Sequence, residues 1–216
     1  MHNYISIKDP FQNTLEIKKS TFITYLYPIF NAEAFDDIYS QLKKEHYKAN
    51  HLCYAYILGN DSMVQRMSDD GEPSGTAGIP MLEVLKRRQL TNIAAITVRY
   101  FGGIKLGASG LIRAYSSSVS EALKLVDLIQ NIDQQIVEIV LHYAQNDAFI
   151  YFINNSQESV TILDTQYTDK VTYTLALNLE AVESFQQSLI ERLNNQFEWT
   201  NKEIQTVDIP YQDPMD

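Results

Sequence analysis

The sequence predicts an α+β protein in two parts, and three observations carry that prediction. Apolar, β-leaning runs alternate with stretches of helical periodicity along the first 128 residues, and seven of the eight glycines crowd between Ser68 and Ser118. Beyond a polar stretch near Asp127–Gln135 the pattern becomes regular, reading β-α-β-β-α-β, which is the ferredoxin-like arrangement. Charge divides at the same place. Residues 1–128 carry 14 Lys+Arg against 13 Asp+Glu, whereas residues 129–216 carry 3 against 14, and together these give the net charge of −10. The expected boundaries are 1–130 and 131–210, with 211–216 as a loose tail.

In chain order, LEIKKSTFITYLYPIF suits one or two strands ended by Pro28. Asn31 is placed to cap a helix on which Ala34, Phe35, Ile38 and Leu42 repeat. HLCYAYIL, the turn signal GNDS and MVQRM read as a hairpin. A helix is expected from Gly78 to Gln89 with Pro80 in its first turn, then a buried strand Ile93–Tyr100, then a helix from Gly110 to Leu128. In the second part, QIVEIVLHY alternates as a strand and NDAFIYFINN suits a helix capped by Asn146 or Asp147. SVTILDTQYT and VTYTLALNL flank a turn at Thr168–Lys170, LEAVESFQQSLIERLNNQ is an amphipathic helix, and EIQTVDIPY is a last strand.

With 216 residues, 45% apolar content and 14 tyrosines, the chain can bury a sizeable core. A single cysteine, Cys53, excludes an internal disulfide framework and fits a reducing compartment. No basic segment followed by an apolar run opens the chain, and no run approaches the ~20 apolar residues of a membrane helix, so a cytoplasmic protein is expected. The acidic balance argues against nonspecific nucleic-acid binding, which rests on phosphate neutralisation; the near-neutral first part is less constrained.

The glycines shape two loops. SDDGEPSGTAGIP carries Asp69, Asp70 and Glu72 and opens into a helix; RYFGGIKLGASGLIRAY follows a strand, opens into another helix and carries Arg99, Lys105 and Arg113. A helix start presents unpaired N–H groups and the positive end of the helix dipole, so the second loop favours an anion. The two loops, one acidic and one basic, are expected to converge on one cleft.

KKSTFI, HLCYAY, SDDGEPSGTAGIP and RYFGGIKLGASGLIRAY resemble the motifs of the YigZ/IMPACT family, and the likeness covers the whole chain. Two positions depart from the family pattern: Thr21 interrupts the usual start, and Ser109 stands where another glycine is usual. The resemblance implies a first domain with a fold like that of a ribosomal protein's second domain, shared with elongation factor G and small-molecule kinases, and a ferredoxin-like second domain. It also implies translational control, because eukaryotic relatives compete for a protein partner in an amino-acid-starvation pathway.

The candidate residues admit sharper and blander readings. Asp69, Asp70 and Glu72 suit Mg²⁺ as hard oxygen ligands, or turn and cap chemistry, or ion pairs with Arg99 or Arg113. Arg99, Lys105 and Arg113, with the backbone near Gly107 and Gly110, suit a phosphate of a nucleotide or RNA, with Tyr100, Phe101 and Tyr115 as stacking faces. The bland alternative has the arginines pairing with the acidic loop and the aromatics in the core. Lys86, Arg87 and Arg88 complement a helix C-terminus. His51 and Cys53 share a strand face but show no third catalytic member, and Ser116–Ser118 lie outside any G-x-S-x-G turn. The resulting expectation is a non-enzymatic regulator contacting a translation-related protein, the ribosome or RNA. The alternative is a metal-dependent hydrolase or phosphate-handling enzyme built on residues 69–72.

Overall fold

The computed structural model describes residues 4–156 and 160–213, which divide into two compact units: 4–131 with 208–213, and 132–207. In the first unit β2 (Phe11–Ile17) and β3 (Ser20–Pro28) form a hairpin whose turn residues, Lys18 and Lys19, both have positive φ. Helix α1 (Ala32–Glu45) starts at the predicted cap, with Asn31 Oδ1 accepting the Ala34 N–H at 2.8 Å. Strands β4 (His51–Leu58) and β5 (Val64–Ser68) pair antiparallel as the expected second hairpin. Helix α2 (Gly78–Arg87), strand β6 (Ile93–Tyr100) and helix α3 (Ala108–Leu123) complete the unit. A short β1 (Tyr4–Ile7) pairs with the start of β7 (Leu128–Leu141).

The sheet runs β2-β3-β6-β4-β5, with every neighbour antiparallel. Strand β6 is central, and it explains why IAAITVRY is apolar throughout rather than alternating. Ile93 and Ala95 face a core with Met81 and Leu85 of α2 and Tyr115 and Val119 of α3, while Ala94, Ile96 and Val98 face Phe35 and Leu42 of α1. The sheet is therefore sandwiched, α1 on one face and the two glycine-loop helices on the other. The far end of β6 delivers Arg99 beside the starts of α2 and α3.

The second unit follows β7 with α4 (Tyr143–Asn154), β8 (Val160–Tyr167), β9 (Val171–Asn178), a 3-10 turn (Leu179–Ala181), α5 (Val182–Leu193) and β10 (Glu198–Pro210). Its strand order β10-β7-β9-β8 is the ferredoxin-like order. Phe149 of α4 and Phe185 and Leu189 of α5 pack on Val137, Ile139, Tyr173 and Leu175. Helix α5 stops where Asn194 takes the left-handed conformation, φ 51°.

Four expectations are corrected. Helix α3 ends at Leu123 rather than Leu128. Strand β7 begins at Leu128 rather than at Gln135, so the polar stretch in which the two units divide is itself strand, with Leu128, Ile132, Gln134 and Ile136 buried in alternation. Helix α4 begins after His142, ahead of both expected caps; Asn146 Oδ1 instead accepts the Tyr173 hydroxyl at 2.7 Å. Residues 211–213 of the expected loose tail are anchored: the Tyr211 N–H donates to the Leu128 carbonyl, and Asp213 pairs with the buried Arg88 guanidinium at 3.0 Å. The strand expected from Ser159 is described from Val160; residues 157–159 and 214–216 lie outside the described residues.

Candidate functional site

The acidic loop is a piece of local engineering around Asp69. One carboxylate oxygen accepts the N–H groups of Ala77 and Gly78, each at 2.9 Å, and the other accepts Gly75 N–H at 2.8 Å. Burial alone would raise the Asp69 carboxyl, but the three backbone donors outweigh it and hold it below the usual carboxylate value. Asp70, at φ 41°, turns its Oδ2 to the Leu52 N–H at 2.6 Å. Both carboxylates therefore bind backbone, and among the described residues no three His, Cys, Asp or Glu side chains gather as a metal site would need. Gly78 is fixed by close approach: a Cβ there would stand 2.9 Å from the Ser68 amide nitrogen.

Glu72 goes inward. Its Oε1 accepts Arg99 Nη1 at 2.6 Å and the Tyr115 hydroxyl at 2.8 Å, and Glu72, Arg99 and Tyr115 are all buried. Arg99 lies 5.3 Å from the Phe22 ring centroid and 5.6 Å from that of Phe101, and its Nη2 reaches Ser20 Oγ at 3.4 Å. Arg99 Nε, also buried, has no hydrogen-bond partner among the described residues. Burial first, then the adjoining Cys53 and Glu72, push the Tyr115 hydroxyl far above its ordinary range, so it stays a donor to Glu72. Burial likewise raises the Cys53 thiol to about 12 against the lesser, opposing pull of its hydrogen bond with Tyr115. Its Sγ sits 3.0 Å from the Asp69 carbonyl, a satisfied core thiol rather than a nucleophile.

His51 stands directly opposite Arg99 in the β4–β6 register. Its Nδ1 is 2.8 Å from the Asp70 carbonyl oxygen, which can only accept, so Nδ1 carries the proton. His51 Nε2 lies 3.8 Å from Glu72 Oε2. Asn50 pins the strand end from both sides, its N–H donating to the Arg99 carbonyl and its Oδ1 accepting from Phe101 N–H.

The basic loop is less occupied. Gly102 donates its N–H to Ser20 Oγ, and a Cβ there would overlap the Lys19 carbonyl, so the loop is pressed onto the β2–β3 turn. Gly107, at φ 72° and ψ 166°, occupies a region essentially closed to other residues and precedes α3 without any side-chain cap. The first α3 bond runs from Leu111 N–H to the Gly107 carbonyl, leaving the N–H groups of Ala108, Ser109 and Gly110 outside the helical ladder. Ser109 sits in the first helical turn, where serine needs no special backbone.

Between the loops lies a cavity of about 440 Å³, lined by residues that include His51, Glu72, Pro73, Arg99, Phe101, Lys105, Gly107 and Leu111. Of the sequence candidates, Glu72, Arg99, Lys105 and Gly107 border this space, and Gly110 lies in the adjoining first turn of α3. Asp69 and Asp70 stand behind it as loop-fixing groups. Arg113 is exposed on the outer side of α3 and does not line the cavity. The stacking surface narrows as well: Tyr115 is wholly buried and Tyr100 binds His46, so Phe101 alone of the three borders the cavity, 46% exposed. Ser20, His51 and Asn50 were not singled out as parts of this site by sequence. The available signal was the KKSTFI and HLCYAY motifs themselves.

Comparison with known proteins places this geometry in context. Residues 18–123 match the model of the Impact N-terminal domain, and residues 139–196 match a domain of unknown function, DUF1949. The chain is similar to IMPACT family member YvyE of Bacillus subtilis, 37% identical over 90% of this chain and 88% of that protein. It is also 46% identical to IMPACT family member YigZ of Escherichia coli over 50% and 54% of the two chains. A crystal structure described only as that of a hypothetical protein is 32% identical, covers 94% of this chain and 98% of its own, and superposes with a TM-score of 0.59. Among the described residues no helix is long and apolar enough to cross a membrane.

Proposed function

We propose that this chain, which belongs to the IMPACT family, is a non-enzymatic regulatory protein of translation that works through a contact made at the cleft between the two glycine loops. The observation that carries this reading is the unequal state of the cleft walls. The acidic wall is satisfied from within, its carboxylates bound to backbone, Arg99 and Tyr115. The basic wall presents Lys105, Phe101 and an uncapped helix start to open space. Such a surface supports recognition: an apolar lining with a few placed polar groups. It gives little support to metal-dependent hydrolysis, which calls for convergent carboxylates with free oxygens. The link to translation rests on the resemblance to the family, and the partner classes it brings are a translation-related protein, the ribosome or RNA.

The test is co-sedimentation of the full chain with ribosomes from cell extract, with and without nuclease, at two salt concentrations. Wild type is expected in the ribosomal fractions at low salt, and Lys105→Glu at the top of the gradient. Wild type and Lys105→Glu sedimenting alike would overturn the reading. Arg113→Ala, which alters a basic residue outside the cavity, is the control expected to follow wild type.

A further inference from the structure

Three features of the cleft agree on the chemistry of its occupant. The first is the charge balance of the lining: Arg99 and Lys105 stand against Glu72, and Glu72 is already answered at 2.6 Å by Arg99 and at 2.8 Å by Tyr115. The remaining field is that of Lys105 and the positive end of α3, where three N–H groups precede the helical ladder. The second is independent of the helix. Arg99, 5% exposed and bordering the same cavity, carries a buried Nε–H with no acceptor among the described residues. A buried donor left unsatisfied is costly, and an oxyanion entering the cavity is the kind of group that relieves it. The third is the aromatic rim: Phe101 is 46% exposed, with the Arg99 guanidinium 5.6 Å from its ring centroid.

From these we infer that the cleft binds a phosphate monoester carried on a planar base, the chemistry of a nucleoside 5′-monophosphate, free or at the end of a short strand. The phosphate lies at the start of α3 within reach of Lys105, and the base stacks on Phe101. A cavity of about 440 Å³ suits a ligand of this size and not a folded strand. A carboxylate on an aliphatic body would satisfy the helix start but leave the Phe101 face unused, so the base distinguishes the two. The inference rests on the cleft being the working surface, and it adds what that surface recognises.

The experiment is calorimetric titration of the full chain with AMP, UMP, adenosine, inorganic phosphate and a 5′-phosphorylated dinucleotide, at two salt concentrations. The nucleotides are expected to bind at least tenfold more tightly than adenosine or phosphate alone, and more weakly at high salt. Lys105→Glu is expected to lose the nucleotides tenfold or more. Phe101→Ala is expected to bring AMP down to the affinity of inorganic phosphate while leaving phosphate itself unchanged. Tighter binding of the dinucleotide than of AMP assigns the site to a strand end; equal binding assigns it to free nucleotide. AMP binding no better than adenosine, or unaltered by Lys105→Glu, overturns the inference. Ribosomal co-sedimentation that depends on Lys105 without nucleotide binding would defeat this inference and leave the proposed function standing. Nucleotide binding without co-sedimentation would do the reverse.

Discussion

The two glycine loops look alike in sequence and behave oppositely in the folded protein. Around Asp69 the acidic loop consumes its own polar groups: three N–H groups on one carboxylate, a fourth on Asp70, and a buried ion pair between Glu72 and Arg99. The basic loop ends in a glycine without a cap, an exposed lysine and a half-exposed phenylalanine. Charge in a loop therefore says little about function until its partners are counted. The saturated loop is a scaffold, and the unsaturated one is the surface it supports.

The sharpest way to break this contrast is Glu72→Ala. It leaves Arg99 buried without its carboxylate and Tyr115 without an acceptor, and the expected loss is about 3–5 kcal/mol in urea unfolding at pH 7. The double variant Glu72→Leu/Arg99→Met, which removes both charges, is expected to recover much of that loss. Equal destabilisation by the single and double variants would show that the pair is not an internal unit.

Asp69→Asn comes next, at about 2 kcal/mol, because an amide accepts backbone donors less strongly than a carboxylate and adds donors of its own. The sign of its pH dependence follows from the direction of the shift. The Asp69 carboxyl is held below its unfolded value, near about 4, so its contribution is present above that pH and lost as pH falls through the lower folded value. Wild type and Asp69→Asn are therefore expected to differ most at neutral pH and to converge in acid. A gap that persists at pH 2 would mean the residue acts by shape alone.

Much of this was legible in the sequence, and the failures have physical reasons. Apolar runs and helical periods placed the first-unit sheet, whose core strand stands out because it is apolar on both faces. Strand β7 was missed where Gln130, Gln134 and Gln135 masked the alternation of Leu128, Ile132 and Ile136. The helical period already separated Arg113 from the cleft. It lies two residues from both Leu111 and Tyr115, about 200° around the helix from each, and those two are buried. The inward turn of Glu72 has no such signature. It depends on His51, Arg99 and Tyr115, which are brought together by strand register and by the packing of α3, and neither is written in local spacing.

On the basic side, Gly107→Ala tests geometry rather than charge. At φ 72° and ψ 166° a Cβ meets no neighbour within 4 Å, so any cost is backbone strain, of order 1–3 kcal/mol. A neutral outcome in thermal unfolding would show that the loop relaxes and that the helix start is not held in place.

The smallest stability effect is expected at Lys105, and that is its value. The residue is exposed, so Lys105→Ala is expected within about 0.5 kcal/mol of wild type in the same unfolding measurement. A scaffold residue loses stability together with binding; a residue of the working surface loses binding alone. Lys105 falling with Glu72 and Asp69 in unfolding would erase the distinction between the loops. A wild-type unfolding curve combined with lost co-sedimentation is the pairing that an unsaturated basic wall requires.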